Sequence, residues 1–233
     1  MLNYTTYVAE IANLAVYQTG AAEFVGIIPG MIDYSEQRLY RELDLLSTNF
    51  TDYTTTLTAG TRTAALNNNF VVVDMINVIS PSTADQNTGT RLPLTGASRE
   101  VVDTLWPSAA VTGPPQLWAQ TDQWDIILGP TPDASYLLEV RGTQRPAPLS
   151  ASNPNTFLTD RLPDLFVAAS MVFIASWKMN MGAAVNAPEQ GGSWETLTQE
   201  LMKSAAAEES RKYRWGGSWT SYPIAPTAQP QRG

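Results

Sequence analysis

The sequence contains neither cysteine nor histidine among its 233 residues. Without cysteine the chain can form no disulfides and offers no thiolate to a metal ion. Without histidine it lacks the side chain that proteins use most often as a catalytic base and as a metal ligand. These absences exclude histidine-based catalytic triads and zinc motifs, and we therefore expect no catalytic residues, no cofactor and no metal site.

Basic charge and long apolar runs are also scarce. The 14 lysine and arginine residues are outnumbered by 22 acidic residues, and the net charge of −8 argues against a generic basic surface for nucleic acids. The longest apolar run, 165–177, is shorter than the ~20 residues that span a bilayer. Residues 1–10 lack the basic and apolar regions of a signal peptide. We therefore expect no membrane partner and a protein that stays in the cytoplasm, or in something assembled there.

Apolar residues recur at helical spacing near both ends of the chain. Residues 165–177 are apolar or small on almost every side, so they are predicted to form a central helix with neighbours on several sides. Asp160 is expected to cap this helix, and Pro163 to lie in its first turn. The other predicted helices are 3–18, 29–46 (with Pro29 at its start) and 193–214.

The segment between these helices has the composition of strands. The predicted strands are 50–58, 70–79, 91–94, 117–120, 123–128 and 135–142, with one short helix at 97–105. The sequence Gly-Pro-Thr-Pro-Asp at 129–133 is typical of a turn. The strands on either side of this turn are therefore predicted to pair as a hairpin.

This order of elements predicts an α+β fold. An antiparallel helical bundle is expected from residues 1–48 and 156–213. A β-rich unit of sandwich-like or barrel-like form is expected as an insertion at 49–155, and an extended C-terminal arm at 214–233.

The C-terminal segment carries the clearest candidate for a binding surface. It combines glycine and proline with four large aromatic residues, Tyr213, Trp215, Trp219 and Tyr222. A tail that only solubilises a protein does not need such side chains, whereas an arm that becomes ordered on a partner uses them as anchors. We predict that these four residues form a partner interface; the alternative is a terminus without a partner.

Two groups in the β-rich segment have both a functional and a structural interpretation. Asp122 and Asp125 resemble the paired carboxylates of a glycosidase, although two solvated loop acids give the same pattern. Trp106, Trp118 and Trp124 could form a platform for a sugar ring, but such residues are more often core or interface anchors.

Two arginines on the second predicted helix also allow two interpretations. Arg38 and Arg41 have the charge and geometry to bind phosphate. They can equally face solvent or pair with the neighbouring acids Glu42 and Asp44.

Three motifs, taken in their order along the chain, identify a family resemblance. The first is Glu-Gln-Arg-Leu-Tyr-Arg-Glu-Leu at 36–43, and the second is the turn region at 124–133 with Tyr-Leu-Leu-Glu-Val at 136–140. The third is 149–158, which leads to Leu-Pro-Asp-Leu at 162–165. Together these motifs resemble the head-to-tail adaptor proteins of tailed bacteriophages over about residues 4–179. The polar loop at 82–90 and the long glycine- and tryptophan-containing tail depart from that pattern.

The resemblance implies a structural virion protein without an active site. Such adaptors form rings of twelve subunits that dock on the portal, extend the channel for double-stranded DNA and offer a platform to the next tail protein. The implied partners are further copies of the chain, the portal protein, and the tail nozzle or another tail protein. The implied location is the head–tail interface of a particle assembled in the host cytoplasm.

Closed rings use head-to-tail interfaces between copies, so we expect helices to form the ring wall and the C-terminal arm to reach the portal. A negatively charged lumen would repel DNA phosphates and let the genome slide. Two alternatives remain. One is a tail nozzle or a gatekeeper that plugs the channel, and the other is a tail hydrolase acting on cell-wall glycan.

Overall fold

The chain folds into two compact units, in a computed structural model that describes the backbone of residues 2–180 and 187–221 and the side chains of 2–178 and 191–212. The first unit, called the helical unit, consists of the described residues of Met1–Ser47 and Pro146–Gly233. The second, called the β unit, is Thr48–Arg145. The predicted α+β class is confirmed.

The helices are α1 (Tyr4–Ala15), α2 (Ala22–Glu42), α3 (Arg99–Leu105), α4 (Phe157–Arg161), α5 (Pro163–Asn180) and α6 (Ala187–Ser221). The strands are β1 (Asn49–Asp52), β2 (Thr63–Ala65), β3 (Phe70–Ser80), β4 (Thr90–Pro93), β5 (Thr95–Gly96), β6 (Thr112–Gly113), β7 (Leu117–Gln120), β8 (Asp125–Gly129), β9 (Thr131–Pro132) and β10 (Leu137–Gln144).

Helix α5 is central to the helical unit and contacts α1, α2, α4 and α6. Every residue from 165 to 171 is buried, and the ring of Phe166 stacks on that of Tyr7 in α1 with a centroid separation of 4.7 Å. The central helix predicted from the sequence is therefore confirmed. Pro163 is its first residue, but Asp160 lies inside the short helix α4 and does not cap α5. Thr156 caps α4, and the non-helical backbone of Leu162 separates the two helices.

Helix α2 begins seven residues before the predicted start, at Ala22, and places Pro29 in its interior. Proline inside a helix removes one backbone hydrogen bond. Phe24 and Ile28 lie ahead of it and are buried in the core of the helical unit, and their burial offsets that loss. The prediction that Pro29 starts the helix was wrong because the tertiary packing of Phe24 and Ile28 outweighs the local cost of a proline inside the helix.

Helix α1 ends at Ala15, three residues before the predicted end at residue 18. Val16 follows with φ 58° and ψ 45°, and its N–H donates to the carbonyls of Ala12 and Asn13. This left-handed conformation is the one that glycine usually supplies at a helix end. The helix therefore ends on a β-branched residue.

Helix α6 is longer at both ends than the predicted 193–214. Thr198, Met202, Ala205 and Glu209 are buried at alternating spacings of four and three residues, which is the pattern of one helix face. A Cβ at Gly191 would lie 3.5 Å from the Cβ of Ala175 in α5, so the two helices approach closely there. Residues 214–221, predicted to be the start of an extended arm, are helical, while 222–233 lie outside the described residues.

The β unit contains two four-stranded sheets, ordered β1-β10-β3-β4 and β2-β8-β7-β5, and the short pair β6-β9. The long strands β3 and β10 are antiparallel, with Ile76 opposite Val140. Side chains from both sheets share one hydrophobic cluster, which includes Ile76 and Leu138 from the first sheet and Ile126 and Leu128 from the second. Within residues 48–145, all of which the structure describes, no sheet closes into a barrel.

The predicted hairpin across residues 129–133 does not form. Strand β8 pairs with β2 and β7, whereas β10 pairs with β1 and β3. The turn therefore carries the chain from one sheet to the other. Part of it, β9, makes its own parallel pair with β6, and this non-local pairing leaves no signal in the turn sequence.

Candidate partner-binding surfaces

An open pocket lies between α2 and α6 on the helical unit and has a volume of about 480 Å³. It is lined by Tyr34, Gln37, Arg38, Arg41, Glu42 and Glu195. The α2 residues in this group are spaced three and four apart, so they share one face of that helix. Two arginines and two glutamates balance each other in charge within the lining.

Arg38 links α2 to α6. Its Nη1 and Nη2 donate to Oε2 and Oε1 of Glu195 at 2.6 and 2.5 Å, and its Nε donates to Oε1 of Glu42 at 3.1 Å. The bonds to Glu195 raise the pKa of the Arg38 guanidinium and lower the pKa of the Glu195 carboxyl. Because a two-point arginine–carboxylate contact fixes direction as well as distance, this contact holds α6 in register against α2. The predicted pairing of Arg38 with Glu42 is confirmed, whereas no local sequence pattern indicates the bond to Glu195.

Arg41 belongs to a ladder of polar side chains along α2. Its Nη2 donates to Oε1 of Gln37 at 2.7 Å, and Nε2 of Gln37 donates to Oδ1 of Asp33 at 2.6 Å. Across the side chains that the structure describes, Arg41 makes no salt bridge. Its predicted pairing with Glu42 or Asp44 is therefore not observed, and its charge is available at the rim of the pocket.

Glu36 is a buried acid that the sequence analysis did not single out for its burial. It is 5% exposed, and its Oε1 accepts the backbone N–H of Leu149 at 3.0 Å. Burial raises the pKa of Glu36 to about 7; the Leu149 N–H works against this rise, and the nearby charge of Asp33 adds to it. The hydroxyl of Tyr40, one turn further along α2, is buried and has no hydrogen-bond partner among the described residues. The Glu36 carboxylate thus holds the segment around Leu149, which follows the β unit in the chain, against helix α2.

The corner between α1 and α2 carries two exposed apolar side chains of the helical unit. Val16 is 87% exposed and Leu14 43%. Their neighbours have partners inside the unit: the Ala15 carbonyl accepts from Lys178 Nζ at 2.5 Å, and the ring of Tyr17 stacks on Phe24.

The second half of α6 is fixed to the helical unit as far as Lys212. Buried Glu209 accepts the backbone N–H of Leu46 at 3.2 Å and forms an ion pair with Lys212, whose Nζ lies 5.4 Å from the centroid of the Phe157 ring. The helical backbone then continues to Ser221.

The four predicted interface residues follow this fixed part of α6. Tyr213, Trp215 and Trp219 are on its helical backbone, but their side chains are outside the described set. Tyr222 lies beyond the described backbone altogether.

The Asp122 carboxylate has a structural role at a turn. Its Oδ1 accepts the backbone N–H groups of Trp124 and Asp125, both at 2.9 Å, and these bonds lower its pKa. A glycosidase acid needs the opposite shift, because it must hold a proton near neutrality. This geometry supports the interpretation of Asp122 as a loop residue, whereas Asp125 is the first residue of strand β8 and pairs with Ala65 in β2.

The three tryptophans considered as a sugar platform occupy different surroundings. Trp106 packs against the small cluster of Val102, Ala119 and Ile127. Trp118 packs against the main cluster of the β unit, and Trp124 is 39% exposed.

Among the residues that the structure describes, no cluster of three or more acidic side chains is placed to hold a metal ion. In the same residues no helix combines the length and apolar character needed to cross a membrane.

Comparison with known proteins addresses the family directly. The family model described as SU10 adaptor protein matches residues 2–222, which include nearly all of both units. A comparison with curated proteins gives no match. The match agrees with the resemblance carried by the three sequence motifs, which lie within its bounds. The chain therefore belongs to the SU10 adaptor protein family, and is a structural adaptor component of a bacteriophage virion that associates with other head and tail proteins.

Proposed function

We propose that twelve copies of this adaptor form a closed ring beneath the portal, where the ring continues the channel for double-stranded DNA and anchors the tail nozzle or another tail protein. The observation that carries the proposal is the family match over residues 2–222. In this role the chain acts by its shape and by its contacts, without turnover of a substrate.

The helical unit is suited to a ring wall because polar contacts tie distant parts of the chain together. Arg38 binds Glu195, Glu36 binds the backbone of Leu149, and Glu209 binds the backbone of Leu46. Each contact joins the N-terminal helices to a segment that follows the β unit. Hydrogen bonds of this kind between distant segments resist shear between the helices of the unit.

The C-terminal part of α6 supplies the proposed contact with the portal. At 1.5 Å per residue, the 35 residues of α6 span about 52 Å and the 18 residues of α5 about 27 Å. Positions 215 and 219 are four residues apart on a helical backbone and therefore share a face. Trp215 and Trp219, with Tyr213 and Tyr222 close to them in the sequence, would anchor this segment in an apolar groove of the portal. This form of docking replaces the extended arm expected from the sequence.

The charge of the chain favours passage of DNA without adhesion. Each copy carries a net charge of −8. A ring whose lumen shares this sign repels phosphates and releases few counterions, so the genome is not retained.

Removal of residues 214–233 tests the portal contact. The truncated chain is expected to remain folded, because it keeps the bond between Glu209 and the backbone of Leu46, although its helical circular dichroism signal should fall slightly with the loss of the helical residues 214–221. It should no longer co-sediment with portal rings. The double variant Trp215→Ala/Trp219→Ala should behave in the same way, whereas Trp124→Ala in the β unit serves as the matched control and should bind normally. Co-sedimentation of the truncated chain at wild-type levels would contradict the proposed contact.

Images of assembled particles distinguish this role from the related ones. Twelvefold density for the chain directly under the portal supports an adaptor ring. Density at the distal end of the tail would indicate a nozzle, and density across the channel would indicate a gatekeeper.

A further inference from the structure

The chain passes between the two units twice. The first connector, residues 43–48, runs from the end of α2 to β1, and the second connector, residues 145–156, runs from β10 to α4. The boundary between the units falls inside each connector, after Ser47 and after Arg145. The β unit is therefore joined covalently to the helical unit at these two places, and the freedom of the two connectors limits how far it can move.

Each connector is bonded to a buried glutamate of the helical unit. On the first connector the N–H of Leu46 donates to Oε2 of Glu209 in α6 at 3.2 Å. On the second connector the N–H of Leu149 donates to Oε1 of Glu36 in α2 at 3.0 Å. Both glutamates are 5% exposed, and in the described part of the helical unit they are the two glutamates that are buried. Both of these side chains therefore accept from a connector.

A buried carboxylate is an expensive acceptor for a backbone N–H, because the acid must be removed from water. A backbone carbonyl or a hydroxyl would satisfy the same donor. Apolar burial accompanies each bond: Leu45 is 1% exposed and Leu149 3%, and both belong to the core of the helical unit. The apolar side chain holds each connector in the core, and the carboxylate adds a directional bond to its backbone.

The second connector is stiff between its bond to Glu36 and the β unit. Pro146 and Pro148 each fix φ at about −65° and have no N–H. Nδ2 of Asn153 donates to the carbonyls of Ala147 and Pro148 at 2.9 and 3.1 Å. Leu149 follows Pro148 directly, so the Glu36 bond holds the end of this stiff segment. A stiff segment restricts what it carries only while its end is held.

We propose that Glu36 and Glu209 form a pair of clamps that hold the two connectors and so restrict movement of the β unit. Both are positioning residues, and the inference concerns a single copy, whatever ring that copy joins. While one clamp is closed, its connector still restrains the β unit. Loss of one clamp should therefore have a small effect on that movement, and loss of both a large one.

Hydrogen exchange followed by NMR tests each clamp in turn. Glu36→Leu removes the acceptor, so the amide of Leu149 should exchange about tenfold faster while that of Leu46 is unchanged; Glu209→Leu should give the reverse. Glu36→Gln keeps an oxygen at this position and should restore slow exchange. Exposed Glu208→Leu is the matched control beside Glu209 and should change neither amide. Unchanged exchange of Leu149 in Glu36→Leu would overturn the proposal.

Pulsed electron paramagnetic resonance tests movement of the β unit on the cysteine-free background. Spin labels at Leu14→Cys and Val101→Cys, which are 43% and 46% exposed, report the distance between the units in labelled chains diluted with unlabelled chain. The double variant Glu36→Leu/Glu209→Leu should broaden this distance distribution by more than the two single variants together. Glu36→Gln/Glu208→Leu should keep the wild-type width.

Two results of the labelling experiment would contradict the clamps. A folded double variant with rapid exchange at both amides and an unchanged distance distribution would reduce the two bonds to local satisfaction of backbone donors. Equal broadening in the Glu36→Gln/Glu208→Leu control would show that movement of the β unit does not depend on the acceptors. Portal binding and ring formation enter neither measurement, so failure of the proposed ring leaves this test intact.

Discussion

The two units bury an acidic side chain in different ways. Glu36 in the helical unit is 5% exposed and Glu139 in the β unit 7%. Glu139 accepts from Arg91 Nε at 2.5 Å and from Asn77 Nδ2 at 3.2 Å, so a cation compensates its charge. Among the residues that the structure describes, Glu36 accepts one hydrogen bond, from the backbone N–H of Leu149, and burial raises its pKa to about 7. The two buried acids therefore differ in their partners: Glu139 has a cation and a side-chain amide beside it, and Glu36 has a backbone N–H.

The units also differ in how their apolar residues are distributed. The helical unit has one large cluster, drawn from α1, α2, α4, α5 and α6 and from residues next to those helices. The β unit divides its buried residues between a main cluster and a smaller one around Val102. The stability of the helical unit consequently depends on α5, which contacts α1, α2, α4 and α6.

The largest expected effect tests this dependence on α5. Phe166→Ala removes a fully buried ring that stacks on Tyr7, and we expect a loss of about 4 kcal/mol in the free energy of unfolding, measured in urea. Phe173→Ala, on the same helix but only half-buried against Tyr34, is the control and should cost less than half as much. Equal losses would show that the full burial of Phe166 against Tyr7 has no special weight in the stability of α5.

The second largest effect is expected at Glu36, the buried acid whose pKa is raised. Glu36 has a folded pKa of about 7 against its ordinary value of 4.5, so between these pH values the folded state holds a proton that the unfolded state has lost. Its contribution to stability is complete below pH 4.5 and declines as the pH rises to 7, by on the order of 3 kcal/mol.

Glu36→Gln removes this titration while keeping an oxygen for the Leu149 N–H. The stability of the variant relative to wild type should therefore rise across that pH interval, in urea unfolding at several pH values. Exposed Glu42→Gln is the control and should show no comparable rise. A constant difference between Glu36→Gln and wild type would mean that Glu36 is already ionised in the folded state.

The smallest effect compares two helix starts, one in each unit. The Thr156 side chain accepts the backbone N–H of Thr159 in a reciprocal capping box, so Thr156→Ala should cost about 1 kcal/mol in thermal unfolding. Ser98 occupies the equivalent position before α3 without such a bond to the helix backbone, and Ser98→Ala should cost clearly less. A larger loss at Ser98 would reverse the expected order.

Strongly patterned elements could be predicted from the sequence. Helix α5 and strand β3 were found because their apolar residues are dense and their flanks carry clear stop signals. The start of α2 was missed because the burial of Phe24 and Ile28 outweighs the local cost of Pro29. The hairpin across the 129–133 turn was wrong because β8 pairs with β7, the strand directly before it, and with β2, whereas β10 pairs with β1 and β3 in the other sheet.

The candidate surfaces were predictable only in part. The aromatic cluster at 213–222 was visible as composition, but the helical backbone that carries its first three members was not. Glu195 and Glu36 gain their roles from partners 157 and 113 residues away, and no local pattern encodes such contacts. The left-handed backbone conformation of Val16 could not be predicted, because valine rarely adopts it in any sequence.

The bond between Glu209 and the backbone of Leu46 has a consequence for biosynthesis. The β unit is one continuous stretch, Thr48–Arg145, whereas the helical unit is assembled from segments on both sides of it. The ribosome therefore synthesises the whole β unit before α5. The apolar faces of the N-terminal helices stay uncovered until the last helix is translated. During this interval a nascent adaptor most needs a chaperone, and nascent chains on neighbouring ribosomes are most liable to aggregate.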